Sequence, residues 1–192
     1  STPLYSSAAS DVYKRQALKI IDKYYNDNPE LKDLLLIHSR LVTEKALFLA
    51  QKHPEQDIDT AFVAEAGMIH DIGIFLTDAP KIHCFGKESY LCHGLLGAEL
   101  MRREGFPRHA RVCERHTGAG LTCDEIIRRE LPLPHYDFLP ETIEEQLICF
   151  ADKFFSKTRP TQEKTLDEAR RSIARFGEEG ALRFEGWVNR FM

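Results

Sequence analysis

The sequence predicts an all-α fold, a helical bundle, on three observations. Apolar residues recur at three- and four-residue spacing almost throughout, which is the period of a helix with one buried face. Alternating β-branched runs are nearly absent. Turn formers interrupt the apolar pattern at short intervals with no strand signal between them, so neighbouring helices must pack on one another rather than on a sheet. At 192 residues the chain fits one domain that can bury a sizeable core.

The elements follow in order. Residues 1–10 are small and polar, and are expected to form a disordered or processing-derived leader ahead of a single domain over 11–192. A first helix over about 11–26 ends at the turn formers Asn26-Asp27-Asn28-Pro29. A second runs from about Leu31 to Lys52, with Leu34, Ile37, His38, Leu41, Val42, Lys45 and Leu49 on or beside one face. A third starts after Asp57 as N-cap, turns Phe62, Ala66 and Ile69 inward, and delivers His70 and Asp71 just before Gly73. Residues 74–92 read as a long loop, of a kind that is often functional. Further helices are expected at about 93–104, 107–117, 122–131, 140–157, 165–176 and 179–190. Leu131-Pro132-Leu133-Pro134 is extended, since proline disfavours helix at itself and at the residue before it. Phe176, Phe184, Trp187 and Phe191 are expected to pack as core or cap, a homodimer contact being the other role open to them.

Composition excludes several classes. The net charge of −4 comes from 26 basic and 30 acidic residues mixed along the chain. No basic block offers an electrostatic footprint, so no nucleic acid partner is expected. No apolar run approaches the roughly 18 residues of a membrane span. Five cysteines, an odd number with no CxxC pair, read as free thiols in a reducing compartment, and the chain is expected to be cytoplasmic.

Chemistry concentrates in His38, His70, Asp71, His93, His116 and Asp152, each on or at the end of an expected helix with an apolar face. On the 140–157 helix, Ile143, Leu147, Ala151 and Phe154 mark the core side, and Asp152 borders it. Singly, an inward histidine is more often a hydrogen-bonded core residue, and an inward aspartate a salt-bridged one. Together they suggest a divalent metal, because a carboxylate beside a core stripe is costly to bury unless paired or coordinated. Imidazole and carboxylate projecting inward from several helices are a standard way for a bundle to hold zinc, iron or manganese.

Gly67-Met68-Ile69-His70-Asp71-Ile72-Gly73 resembles the HDIG signature of the HD-domain superfamily of metal-dependent phosphohydrolases. The family pattern H…HD…D is matched in order by His38, His70-Asp71 and Asp152, over roughly residues 31–158. The resemblance implies an HD-domain helical bundle with a metal site in its core. Two-metal members add a histidine pair between HD and the last aspartate, and His93 and His116 stand where that pair is expected. This implies two ions (Fe, Mn or Zn) with Asp71 bridging; the alternative is that His93 and His116 contact substrate phosphate beside a single ion. The stretch from His116 to Gly120, with Leu133-Pro134 and Thr142 to Glu145, resembles small uncharacterised HDIG proteins. It is less closely similar to HD-type symmetrical diadenosine tetraphosphate hydrolases.

The implied reaction is hydrolysis of a phosphate ester or anhydride in a small phosphorylated metabolite or nucleotide, by in-line attack of a metal-activated water. Asp71 is then catalytic as well as ligating, and Lys153 and Arg115, neighbours in sequence of Asp152 and His116, are candidates to meet phosphoryl charge. Lys81, Lys87 and His83 in the 74–92 loop are lesser candidates, and Thr117 to Gly120 offers a hydroxyl and backbone N–H groups. His53, His83, His109 and His135 fit no ligand position, with His53 and His109 near helix ends and His83 in the loop, where it could face the pocket. Two other readings use the same residues: a di-iron oxygenase, as in relatives resembling inositol oxygenase, and a non-catalytic ligand-binding HD protein.

Overall fold

The computed structural model describes the backbone of residues 7–192 and the side chains of residues 15–192. Of the expected leader, residues 1–6 lie outside the described residues, and α1 already runs Ser7–Tyr25. The described residues fold as α2 (Pro29–Lys52), α3 (Thr60–Ile69), α4 (His93–Arg103), α5 (Pro107–Arg115), α6 (Cys123–Arg128), α7 (Ile143–Asp152), α8 (Leu166–Ala174) and α9 (Glu178–Phe191). The fold is all-α, as the periodicity predicts.

Local chemistry sets the boundaries. Asn28 caps α2, its side chain accepting from Leu31 N at 3.1 Å, and Pro29 supplies a φ suited to a first helical turn. The cap of α3 is Asp59, not Asp57: Asp59 Oδ1 accepts from Phe62 N at 3.0 Å. Asp57 instead takes a left-handed φ of 50° that closes the short 3-10 turn Pro54–Gln56. Capping boxes open three helices, Thr122 with Glu125, Thr142 with Glu145 and Thr165 with Glu168. Each satisfies two of the amide donors that a helix start leaves without partners.

Helix α3 occupies the centre. Every residue from Phe62 to Ile69 is buried, and the helix packs on α1, α2, α5 and α7. A helix buried all round has to be apolar all round, which this one is apart from Glu65. On α2 the buried face is Leu31, Leu35, His38, Val42 and Leu49, whereas Ile37 turns outward at 40% exposed. Phe184, Trp187 and Phe191 of α9 are core, with the Phe150 ring 5.1 Å from Phe184 and 5.7 Å from Phe191. Phe176 lies instead at the surface.

Two segments also need correction. The 74–92 segment is not a featureless loop. It holds 3-10 turns at Ile74–Leu76, Pro80–Ile82 and Tyr90–Cys92, and a short antiparallel pair, β1 (Asp78–Ala79) with β2 (Cys84–Phe85). The helix expected over 140–157 stops at Asp152. Beyond it the chain tightens into three-residue turns, Lys153 N to Phe150 O, Phe154 N to Ala151 O and Phe155 N to Asp152 O. That early stop folds residues 153–157 back over the end of α7.

Candidate metal centre

Five segments bring the predicted residues together. His38 comes from the middle of α2, and His70 and Asp71 from the point where α3 gives way to a turn. His93 is the first residue of α4, His116 caps the C-terminus of α5, and Asp152 is the last residue of α7. All six are buried, with His70 and Asp71 at 0% exposed.

Gly73 and Gly94 make this convergence possible. A Cβ on Gly73 would stand 2.2 Å from the His93 carbonyl oxygen and 2.4 Å from Gly97 N, so only glycine lets α4 close on the end of α3. A Cβ on Gly94 would stand 2.5 Å from the Cys113 carbonyl oxygen, so α4 reaches α5 in the same way. Those two approaches place His93 and His116 against Asp71.

The six residues form two overlapping groups that share Asp71: His38, His70, Asp71 and Asp152, and Asp71, His93 and His116, each with its ligand atoms within 4.8 Å of one another. Asp71 divides its oxygens between them. Oδ2 faces His38 Nε2 at 3.0 Å and His70 Nε2 at 3.1 Å. Oδ1 faces His93 Nε2 and His116 Nε2, both at 3.3 Å. Asp152 Oδ1 completes the first group, 3.0 Å from His38 Nε2 and 3.6 Å from His70 Nε2.

The donor set fits divalent metal. Three histidines direct Nδ1 at the backbone carbonyl three residues earlier: His70 to Gly67 at 2.7 Å, His93 to Tyr90 at 2.6 Å and His116 to Cys113 at 2.7 Å. A carbonyl can only accept, so each Nδ1 carries a proton, and a neutral ring presents a bare Nε2 lone pair inward. His93 Nε2 and His116 Nε2 then face each other at 2.9 Å. Burial, reinforced by His116, depresses the basicity of His93 to about 3, and burial likewise lowers His116, so neither ring readily takes the proton that would reconcile them. Both nitrogens of His38, Nε2 of His70 and both oxygens of Asp71 lack a partner with hydrogen-bond geometry. Buried polar atoms are otherwise satisfied almost everywhere, so a cluster of orphans aimed at one point is the mark of a cation site.

The charges are tuned to match. Burial opposes ionisation of Asp71, but Lys157 and His70 hold its carboxyl well below the usual range. Asp152 is held low in the same way, chiefly by Lys153 and His38. His70 is pushed down by burial, and Asp71 and Asp152 more than reverse this, to about 9.

Lys153 lies at the centre, its Nζ 2.7 Å from Asp152 Oδ2 and donating to His116 O at 2.8 Å. Arg115 does not reach it. Its guanidinium donates to Leu139 O at 2.7 Å and pairs with Glu141, on the far side of α5. Lys81, Lys87 and His83 are exposed and line no part of the centre. His109, near the start of α5, is buried, its Nε2 3.1 Å from Glu65 Oε2.

Sequence reading missed Lys157, whose Nζ stands 2.6 Å from Asp71 Oδ2. In a continuous helix it would lie about 140° around the axis from Asp152. Only the early end of α7 brings it back. Tyr90, stacked on the His93 ring at 4.7 Å, was missed as well. Beside the centre opens a cavity of about 310 Å³ lined by Tyr90, His93, His116, Thr117, Asp152 and Phe176 among others, with three lysines, Lys153, Lys157 and Lys164.

An all-helical domain that gathers imidazoles and carboxylates into a buried, shared-carboxylate centre has the build of a divalent-metal protein. The chain belongs to the HD domain family, whose profile matches residues 35–156. It is 35% identical, over 75% of its length, to an uncharacterised protein of Methanocaldococcus jannaschii, of which the match covers 76%. It is also similar to two proteins named tRNA (cytidine(56)-2'-O)-methyltransferase. The one from Picrophilus torridus is 34% identical over 66% of this chain, and the one from Thermoplasma volcanium 33% over 65%. The match spans only about a third of either methyltransferase, 33% and 32%. No solved structure gives a significant match. No helix of the described residues is long and apolar enough to cross a membrane.

Proposed function

We propose that the protein is a metal-dependent phosphohydrolase acting on a small phosphorylated molecule, with two divalent ions held by the two groups that share Asp71. The observation that carries this reading is the cavity: three lysines line it where it meets the ligand cluster. Asp71 and Asp152 are the carboxylates of that cluster, and Lys153 and Lys157 already balance them. Adding divalent charge leaves a strong positive excess, which an anionic substrate offsets. When bound, such ions polarise phosphoryl oxygens and lower the pKa of a coordinated water to near neutrality.

The protein's own groups do the rest. His38, His70, His93, His116, Asp71 and Asp152 fix the ligand geometry, and the three Nδ1 hydrogen bonds hold the rings to one tautomer. Lys153, anchored by Asp152 and the His116 carbonyl, presents a fixed positive charge to the phosphoryl oxygens. Phe155, Ile173 and Phe176 give the cavity an apolar wall that limits water. A volume of about 310 Å³ stands at the small end of ligand sites and suits one compact metabolite or mononucleotide rather than a dinucleoside polyphosphate or a nucleic acid.

Metal analysis of the purified protein, with phosphate release measured over nucleotides and sugar phosphates in Mn²⁺, Fe²⁺ and Zn²⁺, tests the proposal. Turnover that needs metal, proceeds without O₂ and disappears in His70→Ala and Asp71→Ala supports it. Full turnover in either variant, or turnover that requires O₂, sinks it.

A further inference from the structure

We infer that Lys157 exchanges with the metal: its ammonium neutralises Asp71 in the metal-free protein, and metal loading drives it into the adjoining cavity, where it helps hold the substrate's anionic group. Three observations support this. Lys157 Nζ lies 2.6 Å from Asp71 Oδ2, the oxygen that also faces His38 and His70. A divalent ion bonded to that oxygen would stand within about 5 Å of the ammonium, and two such cations in a buried site repel strongly. The other two cavity lysines are tied down. Lys153 is held by Asp152 Oδ2 and His116 O, and Lys164 donates to Lys153 O at 3.2 Å. The Lys157 contact is an ion pair to an oxygen that no donor addresses with hydrogen-bond geometry, with the face of the Tyr90 ring, which itself lines the cavity, 5.9 Å from the ammonium. Lys157 also lines the cavity, so it has somewhere to go. It sits just past the HD-matched residues 35–156, in the turns that follow α7.

The exchange itself needs only the metal centre; the anion-holding role rests on the phosphohydrolase reading. The test uses Mn²⁺ and inorganic phosphate as probes. In the wild-type protein, reductive methylation followed by peptide mass mapping should show Lys157 protected without metal and labelled about tenfold faster with Mn²⁺, with exposed Lys87 unchanged as a control. Lys157→Met should bind Mn²⁺ about tenfold more tightly in calorimetry, and its Mn²⁺-loaded form should bind phosphate about tenfold more weakly. Labelling of Lys157 that Mn²⁺ leaves unchanged overturns the exchange, and this readout needs no folded variant. If labelling rises but phosphate fails to bind the Mn²⁺-loaded wild type, the exchange stands and the phosphohydrolase reading falls.

Discussion

Replacing Gly73 with alanine tests how the centre is assembled without touching a ligand. The added Cβ would meet the His93 carbonyl oxygen at 2.2 Å and Gly97 N at 2.4 Å, both backbone atoms that no rotamer change can move. Ordinary contact begins near 3.4 Å, so the start of α4 must retreat by about 1 Å. Overpacking of this kind costs about 1–3 kcal/mol. For a chain of this size that lowers Tm by roughly 2–12 °C. The same retreat carries His93 away from Asp71 and His116, because His93 is the first residue of α4. His38, His70, Asp71 and Asp152 stand on α2, the end of α3 and α7, and do not depend on α4. Gly73→Ala should therefore lose affinity selectively, about 10²-fold at the group that contains His93, with the other group retained. Thermal melts and metal content after gel filtration check both halves. A variant with wild-type Tm and undiminished metal content would refute the claim that this close approach builds the second group.

Gly186 is the matching control. It is exposed within α9, and a Cβ there meets nothing within 4 Å, so Gly186→Ala should gain about 0.5–1 kcal/mol and leave metal binding unchanged. Lys153→Gln should lower kcat/KM about 10²-fold in metal-loaded enzyme, whereas Arg115→Gln should change it less than about twofold and appear only as a lower Tm; steady-state kinetics and melts separate the two. The metal-free protein should be most stable near pH 6.5. His93 is held at about 3, so as pH falls below 6.5 the unfolded chain gains a proton that the folded one refuses, and stability is lost. His70 is held at about 9, so its contribution is whole below 6.5 and is lost as pH rises through 9. Mn²⁺ replaces the His70 proton and should flatten the alkaline arm in Tm measured against pH, while a metal-free Tm that still climbs from pH 7 to 9 would contradict the charge assignments.

Much of this was legible in the sequence because the signals were local or ordered. Helical period identifies a helix whatever it packs on, and the ordered pattern of His38, His70-Asp71 and Asp152 needs no contact map. What escaped depended on where the chain stops being regular. The helical period runs on through Lys157, and the turns after Asp152 that return it to Asp71 leave no composition signature. Only adjacency in sequence to His116 links Arg115 to the centre. Successive helical residues diverge by about 100°, and Glu141 and the Leu139 carbonyl, both distant in sequence, claim its guanidinium. Asp57 and Asp59 are equally good caps by composition; the choice was made by Asp57 taking the left-handed turn.

The position of the centre explains why burying so many polar atoms is tolerable. The apolar interior of the described residues has two large clusters rather than one, beside a small third one of Leu121, Ile126 and Phe138. The first joins the C-terminal half of α2 to α7, α8 and α9, and the second joins α1, the N-terminal half of α2, the 74–76 turn and α4. His38 stands on α2 between Leu35 of one cluster and Val42 of the other, and His116 follows Val112 and Cys113, which divide between them in the same way. The ligand layer thus occupies the seam where the two cores meet. There His70, His93 and His116 each give Nδ1 to a backbone carbonyl, and all four imidazoles turn Nε2 toward Asp71. A cation in that seam is bonded to residues from both halves, so metal binding and cohesion of the two cores are one equilibrium: at free Mn²⁺ 100 times its Kd the folded state gains about 2.7 kcal/mol. Separating the cores would break the ion's bonds to one side, which is why stripping the metal should loosen the whole domain and not the site alone.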